Sequence, residues 1–199
     1  GELPCLHVGG RRQRQMCIRD SGGGWWAHGR GSQQALAAKR AHKQKVGYTY
    51  LHSIIDGFSR LAYTEALEDE KAATVIGFLQ RAQAYFAAHG ITHITRLVTD
   101  NGLSYRSAAF KAAITGFIGR HQHTRPYTPR HNGKIERYNR LLADECLYAR
   151  PYTSEQQRRQ ALKTWNHHYN YHRPHTACSD QPPASRLHTR VDNVMTNYT

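Results

Sequence analysis

Acidic residues are scarce in this chain: 14 Asp and Glu stand against 28 Lys and Arg among its 199 residues. Cysteine is scarce too, and the four cysteines form neither a CxxC pair nor a zinc-finger spacing with the histidines. This pattern favours reduced thiols over a disulfide framework or a zinc site. No apolar run approaches the roughly 18 residues that a membrane span needs, and no signal peptide is visible. We therefore expect a cytoplasmic protein.

The excess of basic residues gives a net charge of +14 before any histidine is counted. Residues 1–100 carry +5 of this charge and residues 101–199 carry +9. Such a balance indicates a polyanionic partner, above all nucleic acid, because each neutralised phosphate releases counterions. The alternative is a soluble basic protein without a specific partner. Four histidines lie in an aromatic, proline-containing setting that favours packing or phosphate contact over metal binding: His167, His168, His172 and His175.

Segments rich in Tyr, Thr and Ile alternate with segments whose apolar residues recur at helical spacing. This alternation predicts an α/β fold, with a mixed β-sheet flanked by helices. Gly90 is expected to end the first helix, because glycine readily adopts the conformation that terminates helices. The predicted strands cover residues 46–56, 61–67 and 94–100, with an edge strand in "GRHQHTRPY", and the predicted helices cover 69–89, 104–115, 132–148 and 154–170.

Asp100 follows the apolar run of "RLVTDNGLSY" and is a candidate catalytic residue. A carboxylate at the C-terminal end of a strand lies at the rim of the sheet, where α/β proteins tend to place their sites. Asn101 and Gly102 allow a tight turn after it. The alternative is a structural acid that stabilises this turn or caps the next helix.

Glu136 is the second candidate, in the first turn of the helix that contains "NGKIERYN". A carboxylate on a strand end and one on a later helix can converge on a divalent cation, and hard oxygen ligands suit Mg²⁺ or Mn²⁺. The alternative is a solvated acid favoured by the helix dipole. Four neighbouring residues are candidates for contacting a DNA backbone: Asn132, Lys134, Arg137 and Arg140.

Several co-linear motifs resemble the catalytic core of retroviral integrases and bacterial insertion-sequence transposases, the DDE superfamily. These motifs are "VTDNG", then after 35 residues the glutamate of "PYTPRHNGKIERYNR", together with "IIDGFSR" and "YNYHRPHTACSDQPPASRL". The resemblance spans roughly residues 25 to 190 and implies a ribonuclease-H-like fold. Asp100 matches the second catalytic aspartate of the family, and Glu136 matches its glutamate.

The resemblance also implies an enzyme: a DDE-type polynucleotidyl transferase whose carboxylate triad binds two Mg²⁺ or Mn²⁺ ions. Its substrate would be DNA, hydrolysed at a transposon end before the freed 3′-hydroxyl attacks target DNA. A homo-oligomer on DNA, a bacterial nucleoid-associated location and a helix-turn-helix region upstream of residue 1 are further expectations. Two other interpretations stay open: a catalytically inactive DNA-binding or assembly module, and a ribonuclease that cuts RNA–DNA hybrids.

The first aspartate of the family is missing from its expected place. In the family it follows a His-Val pair, whereas here His7 and Val8 are followed by Gly9. Asp56 closes a strand at a turn and Asp20 lies in a glycine-rich, charged stretch, so both are weak substitutes. The third possibility, besides Asp56 and Asp20, is that this ligand is absent. Its absence would weaken metal binding and the electrostatic stabilisation of phosphoryl transfer.

The N-terminal stretch that lacks this aspartate has an unusual sequence. The segment "QMCIRDS" resembles the translation of an adaptor used in preparing sequencing libraries, and one hypothesis is that residues from about 9 to 21 are an assembly artefact. A natural basic loop is the alternative. With five glycines and four arginines, residues 9–24 are expected to pack poorly. The predicted organisation is a disrupted segment at 1–24, an integrase-like core at 25–175 and an irregular tail at 176–199.

Overall fold

The computed structural model describes residues 13–22, 48–124, 133–150, 152 and 154–187, with only the backbone described for residues 13–22 and 48. Five strands form one mixed sheet: β1 (Gln13–Gly22), β2 (Tyr48–Asp56), β3 (Ala62–Leu67), β4 (Arg96–Thr99) and β5 (His121–His123). Their spatial order is β3-β2-β1-β4-β5. The pairs β1–β2 and β2–β3 are antiparallel, whereas β1–β4 and β4–β5 are parallel.

The helices are α1 (Ala72–Ala88), α2 (Leu103–Arg106), α3 (Ala108–Ile114), α4 (Gly133–Leu142) and α5 (Glu155–Tyr171). A π-helical turn over Ala143–Leu147 extends α4. These elements confirm the predicted α/β class. The expected helix at 104–115 is divided into α2 and α3, because Ser107 is extended and its hydroxyl accepts a hydrogen bond from Phe110 N at the start of α3.

Helices cover both faces of the sheet and create two apolar cores. On one face, α1 buries residues that recur at helical spacing, including Val75, Phe78 and Leu79, against Ile54 of β2. On the other face, α4 and α5 pack over Leu51 and Ile55. Leu51–Asp56 is therefore buried throughout, and its three polar side chains, those of His52, Ser53 and Asp56, form hydrogen bonds inside the protein.

The end of α1 is the one predicted from its glycine. Gly90 has a φ of 75°, in the left-handed region that glycine adopts without a steric penalty. The backbone N–H of Gly90 donates to Ala87 O, and that of Ile91 donates to Phe86 O. These two bonds satisfy carbonyls at the helix end, as in a Schellman motif.

The N-terminal stretch differs from the expectation. Residues 9–24 were expected to pack poorly and Asp20 to lie in a loop, but Gln13–Gly22 forms the central strand β1. The prediction of a loop at Asp20 is wrong, whereas the prediction of poor packing concerns side chains that lie outside those described. The reason is tertiary: a strand between β2 and β4 supplies hydrogen bonds to both neighbours, and this backbone pairing overrides weak local propensity. Gly9 lies outside the described residues.

The C-terminal segment also differs from the expected irregular tail. Residues Thr176–Cys178 and Pro183–Arg186 form two 3₁₀ turns. They pack against the β2–β3 turn, where the Cys178 thiol donates to Ser59 O at 3.5 Å. Residues up to 187 therefore belong to the same packed unit as the core. Among the residues that the structure describes, no helix has both the length and the apolarity needed to cross a membrane.

Candidate active site

Asp100 directly follows β4, at the rim of the sheet. Its Oδ1 accepts a hydrogen bond from Gly102 N at 2.8 Å, so the turn that the sequence suggested is present. A side chain at position 102 would bring its Cβ to 3.0 Å from that same oxygen, which explains the glycine. The turn uses only Oδ1, and Oδ2 has no hydrogen-bond partner among the described residues. A structural turn and a ligand position are therefore compatible at Asp100.

The backbone around Asp100 is fixed by the neighbouring edge strand. His123 Nδ1 donates to Asp100 O at 2.9 Å, and Asn101 Nδ2 donates to Thr124 O at 2.9 Å. The backbone N–H of Thr124 completes the contact by donating to Thr99 O at 2.8 Å. These bonds give β5 a positioning role that the sequence analysis missed. The two alternating histidines of "HQH" are the feature of the sequence that could have indicated this role, whereas the segment was expected only to form an edge strand.

His121 lies beside this contact, with Nε2 2.9 Å from Thr99 Oγ1. Burial lowers its pKa to about 4, and the adjacent His123 and Lys111 act in the same direction. The imidazole is therefore neutral at physiological pH, and its hydrogen bond to Thr99 supports the last residue of β4 without adding charge.

Glu136 is exposed in the first turn of α4. The preceding residue, Ile135, is fully buried in the core with Leu51 and Ile55. Since consecutive helical residues are rotated by about 100°, Glu136 lies on one flank of the helix rather than facing the sheet. Arg137, a further 100° round, lines a pocket on the other flank together with Tyr169 and His175.

The direction of the Glu136 flank follows from the packing of the helices. α5 packs on β3, and α4 packs on β2 and β1. With the sheet order β3-β2-β1-β4-β5, the flank of α4 that faces away from α5 faces β4, the strand that Asp100 follows. Glu136 is thus on the flank of α4 that is directed towards the β4 half of the sheet.

The three basic candidates on α4 have different surroundings. Lys134 is half-buried, and its Nζ donates to Gly57 O at 3.0 Å. Burial is the main factor that lowers its pKa, followed by the nearby Arg60 guanidinium. Arg137 and Arg140 are exposed. Asn132 lies outside the described residues.

Asp56, one possible substitute for the missing acid, is a buried structural residue. Its Oδ2 accepts from Ser59 N at 2.9 Å and from Ser59 Oγ at 2.7 Å, which holds the β2–β3 turn. In register, Asp56 pairs with Arg14, which pairs with Leu97. Asp56 is therefore two strands away from Asp100 and about 10 Å before it along the strand direction.

The register also identifies which residue of the central strand is level with Asp100. Gln15 pairs with Val98, and continuing by two residues brings Cys17 level with Asp100. Asp20 is three positions further, or about 10 Å along β1. Cys17 pairs with Ser53 of β2. Ser53 in turn accepts a hydrogen bond from Thr64, whose hydroxyl contacts Tyr138 of α4, so the Ser53 side chain is on the α4 side of the sheet.

These positions allow a test of whether the residues present fit a metal centre. Among the described side chains, no group of three or more His, Cys, Asp or Glu is placed to hold an ion. Asp100 supplies one carboxylate at the end of β4 and Glu136 another in the first turn of α4, whereas the residue of β1 that is level with Asp100 is Cys17, which is not an acid. The described donor set is thus incomplete by one acid.

The strand order, with its parallel and antiparallel pairs and helices on both faces, defines a ribonuclease-H-like domain. Two family models, both described as Integrase core domain, match residues 32–129 and 119–183. The chain belongs to the integrase core family.

Curated relatives come from mobile elements. The chain is 33% identical over 133 residues to an uncharacterized 39.2 kDa protein of insertion element IS476 from Xanthomonas euvesicatoria. The matched region covers 66% of the chain and 37% of that protein. It is 31% identical over 99 residues to a retrovirus-related Pol polyprotein of transposon TNT 1-94 from Nicotiana tabacum, covering 50% of the chain and 7% of the polyprotein. The chain thus spans little more than a third of the length of the IS476 protein.

Solved structures of retroviral integrases share the fold. A simian T-cell lymphotropic virus intasome, in complex with PP2A regulatory subunit B56 gamma, has a TM-score of 0.64 at 24% identity and covers 91% of this chain and 56% of that one. The HTLV-2 integrase catalytic core in complex with magnesium has a TM-score of 0.62 at 16% identity, covering 89% and 97% respectively.

Proposed function

We propose that this chain is the catalytic domain of a bacterial insertion-sequence transposase that performs metal-dependent phosphoryl transfer on DNA. Membership of the integrase core family supports the reaction class, and the relative from insertion element IS476 supports the biological context. The net charge of +14 suits a polyanionic substrate. The observation that carries the proposal is an acid at the end of β4, Asp100, whose backbone is fixed by β5, together with an exposed acid, Glu136, in the first turn of the helix that packs on β2 and β1.

In this proposal Asp100 and Glu136 would hold a divalent cation, Mg²⁺ or Mn²⁺, through carboxylate oxygens. When bound, such an ion stabilises charge on the phosphodiester and favours ionisation of the attacking hydroxyl. Arg137 and Arg140 are exposed. We propose that these two arginines and Asn132 contact DNA phosphates. The contact of Lys134 with Gly57 O supports a role in positioning α4 instead.

The reaction would proceed in two phosphoryl transfers. Water attacks the phosphodiester at a transposon end and releases a 3′-hydroxyl, which then attacks a phosphodiester of target DNA and displaces another 3′-oxygen. Because two transposon ends take part, we also propose a homo-oligomer on DNA, in the bacterial cytoplasm at the nucleoid.

A second candidate function is a catalytically inactive DNA-binding or assembly module. The sequence of β1 favours it, because the residue level with Asp100 is Cys17 and the one acid of this strand, Asp20, lies three positions further along. Hard cations prefer oxygen over sulfur ligands, so Cys17 is a poor replacement. The two candidates share the fold and the DNA partner and differ only in chemistry.

A DNA-nicking assay on Cys17→Asp separates these candidates. We expect the chain with Cys17 to nick supercoiled DNA little or not at all with Mg²⁺ or Mn²⁺, and Cys17→Asp to nick it at least 100-fold faster. Cys17→Ser, which adds no charge, is the matched control and should stay inactive. Adding Glu136→Gln to Cys17→Asp should abolish nicking but leave DNA binding in EDTA intact.

Two outcomes would count against the catalytic assignment. Nicking that persists in the double variant would remove Glu136 from the mechanism. A folded, DNA-binding Cys17→Asp chain without metal-dependent nicking would favour the inactive module.

A further inference from the structure

A small basic pocket lies on the flank of α4 that faces away from Asp100. We call it the α4–tail pocket. It has a volume of about 180 Å³, room for roughly six water molecules. The end of β2 with the turn that follows it, one side of α4, the end of α5 and the segment after α5 form its walls. The polar residues that line it are Arg60, Lys134, Arg137, His175 and Thr176.

The wall supplied by the C-terminal segment is held in place by specific contacts. Arg186 Nη1 donates to Phe58 O at 3.1 Å, and its guanidinium lies 5.3 Å from the centre of the Phe58 ring. Cys178 adds its bond to Ser59 O in the same turn. The segment "HRPHTACSDQPPASRL", which the proposed active site does not use, thus completes this pocket.

The described residues that line the α4–tail pocket carry positive charge and no acid. Other arginines pair with glutamates: Arg81 with Glu65, Arg158 with Glu155, and Arg173 with Glu145. Within the described part of the chain, no ion pair involves Arg60, Lys134 or Arg137. The Asp56 carboxylate, which accepts hydrogen bonds from Ser59 in the turn, acts on Lys134 from outside the lining of the pocket.

His175 provides a neutral hydrogen-bond donor in this basic setting. It is 9% exposed, and its Nδ1 accepts from Ala177 N at 3.2 Å, so the neutral ring carries its hydrogen on Nε2. Burial lowers the His175 pKa most, and the guanidinium groups of Arg60 and Arg137 lower it further. The protonation of the His175 ring therefore depends on the charge in the pocket, so its NMR signals can be used to detect a bound anion.

Arg60 is fixed at the edge of the pocket by an unusual backbone conformation. Its φ is 68°, a left-handed value that costs a non-glycine residue energy, and its N–H donates to Asp56 O in the β2–β3 turn. Its Nη1 donates to Gly57 O at 2.5 Å. The guanidinium is thereby ordered before any ligand arrives, which lowers the entropic cost of binding an anion.

We propose that the α4–tail pocket binds a phosphate of the DNA backbone, at a position distinct from the proposed active site. Two guanidinium groups, an imidazole N–H and a threonine hydroxyl are suitable donors for phosphate oxygens, and the first turn of α4 adds the partial positive charge of a helix N-terminus. The pocket and Glu136 lie on opposite flanks of α4, so one duplex can contact both by crossing the helix. The choice of DNA as the source of the phosphate rests on the proposed function.

The test follows the His175 imidazole signals by NMR in EDTA, with His175→Asn to assign them. One titration uses inorganic phosphate and the other a 12-nucleotide duplex of unrelated sequence without terminal phosphates. We expect saturable shifts with both, at a concentration at least tenfold lower for the duplex. Arg60→Gln/Arg137→Gln should abolish these shifts and flatten the salt dependence of duplex binding by one to two units of log–log slope. The matched control Arg120→Gln/Lys163→Gln removes two exposed charges elsewhere and should keep the His175 shifts.

If Arg60→Gln disturbs the turn, as judged by circular dichroism, Arg137→Gln alone serves because Arg137 is exposed, and it should weaken the response about tenfold. Unchanged His175 signals in the parent chain, or equal shifts in the pocket variant, would overturn the proposal. A response to phosphate without a response to the duplex would overturn the DNA assignment. Because this test needs no metal, its result does not depend on whether the chain nicks DNA.

Discussion

Asn170 of α5 forms hydrogen bonds with both backbone groups of Ala62 on the edge strand β3. Its Oδ1 accepts from Ala62 N at 2.9 Å, and its Nδ2 donates to Ala62 O at 2.7 Å. Asn170 is 1% exposed and Ala62 is fully buried. The side chain therefore takes the place of a neighbouring strand at the start of β3 and joins α5 to the sheet.

Replacing this side chain should lower stability substantially. Asn170→Ala leaves a buried N–H and a buried C=O without partners, and each such group costs about 1–3 kcal/mol. We expect a loss of about 3 kcal/mol in the free energy of unfolding, measured by urea denaturation. Thr164→Ala on the exposed side of α5 is the control and should change it by less than about 0.5 kcal/mol. A loss below about 1 kcal/mol for Asn170→Ala would show that the bond is not important for stability.

Manganese binding tests whether Asp100 and Glu136 act as a pair. We expect Asp100→Asn and Glu136→Gln each to lower the affinity for Mn²⁺ at least tenfold, measured by electron paramagnetic resonance of the free ion. Asp144→Asn, at an exposed acid beyond α4, should have no effect. Equal affinities in all three variants would contradict the site, as would an experimental structure with the Asp100 and Glu136 carboxylates well over roughly 10 Å apart, because paired ions lie about 4 Å from each other.

Charge reversal on α4 should separate DNA binding from chemistry. Arg137→Glu/Arg140→Glu should weaken binding to unrelated DNA sequences alike and reduce the slope of log affinity against log salt by about two, because two phosphate contacts are lost. Fluorescence anisotropy in EDTA measures both effects. Glu136→Gln is the comparison and should bind DNA as the parent chain does. An equal loss of binding from Glu136→Gln would show that Glu136 is structural.

Acid should destabilise the protein through its buried histidines. Burial lowers the pKa of His52 and brings that of His121 to about 4. Below the unfolded value of about 6.5 the unfolded chain binds more protons, so stability is complete above pH 6.5 and falls as the pH drops towards 4. Each such histidine adds at most about 1.4 kcal/mol per pH unit to this loss.

His52→Gln should make this decline shallower between pH 6.5 and 5, because glutamine can still donate to Asp69 O, as His52 Nε2 does, but does not titrate. Urea denaturation at several pH values measures the slope. His93→Gln, at an exposed position, is the control and should leave the profile unchanged. Parallel profiles for His52→Gln and the parent chain would contradict a neutral, buried His52.

The sequence predicts the elements whose apolar residues recur regularly. The spacing of Val75, Leu79 and Phe86 places α1, and Gly90 marks its end, because both depend on local geometry alone. Asp100 was correctly assigned to the end of a strand, since the apolar run before it is short and followed by a turn signal.

Features that depend on residues far apart in the chain are harder to predict from the sequence. Nothing local in "QRQMCIRDSG" predicts a strand, and its pairing with β2 and β4 appears only in the fold. The half-buried position of Lys134 depends on Gly57, 77 residues earlier. The α4–tail pocket joins residues from four separate segments, so sequence spacing carries no sign of it.

The central position of β1 also has a consequence for the order in which the protein folds. The β2–β3 hairpin closes over a short turn, whereas β1 meets β4 only by bringing together residues about 80 positions apart. Long-range parallel pairing carries a larger loop-closure cost and tends to form slowly. Asp100 belongs to the β4–β5 half of the sheet, and the helix of Glu136 packs on the β1–β2 half. Any approach of the two acids therefore requires β1 to dock, and we predict that assembly of the proposed site is a late event of folding.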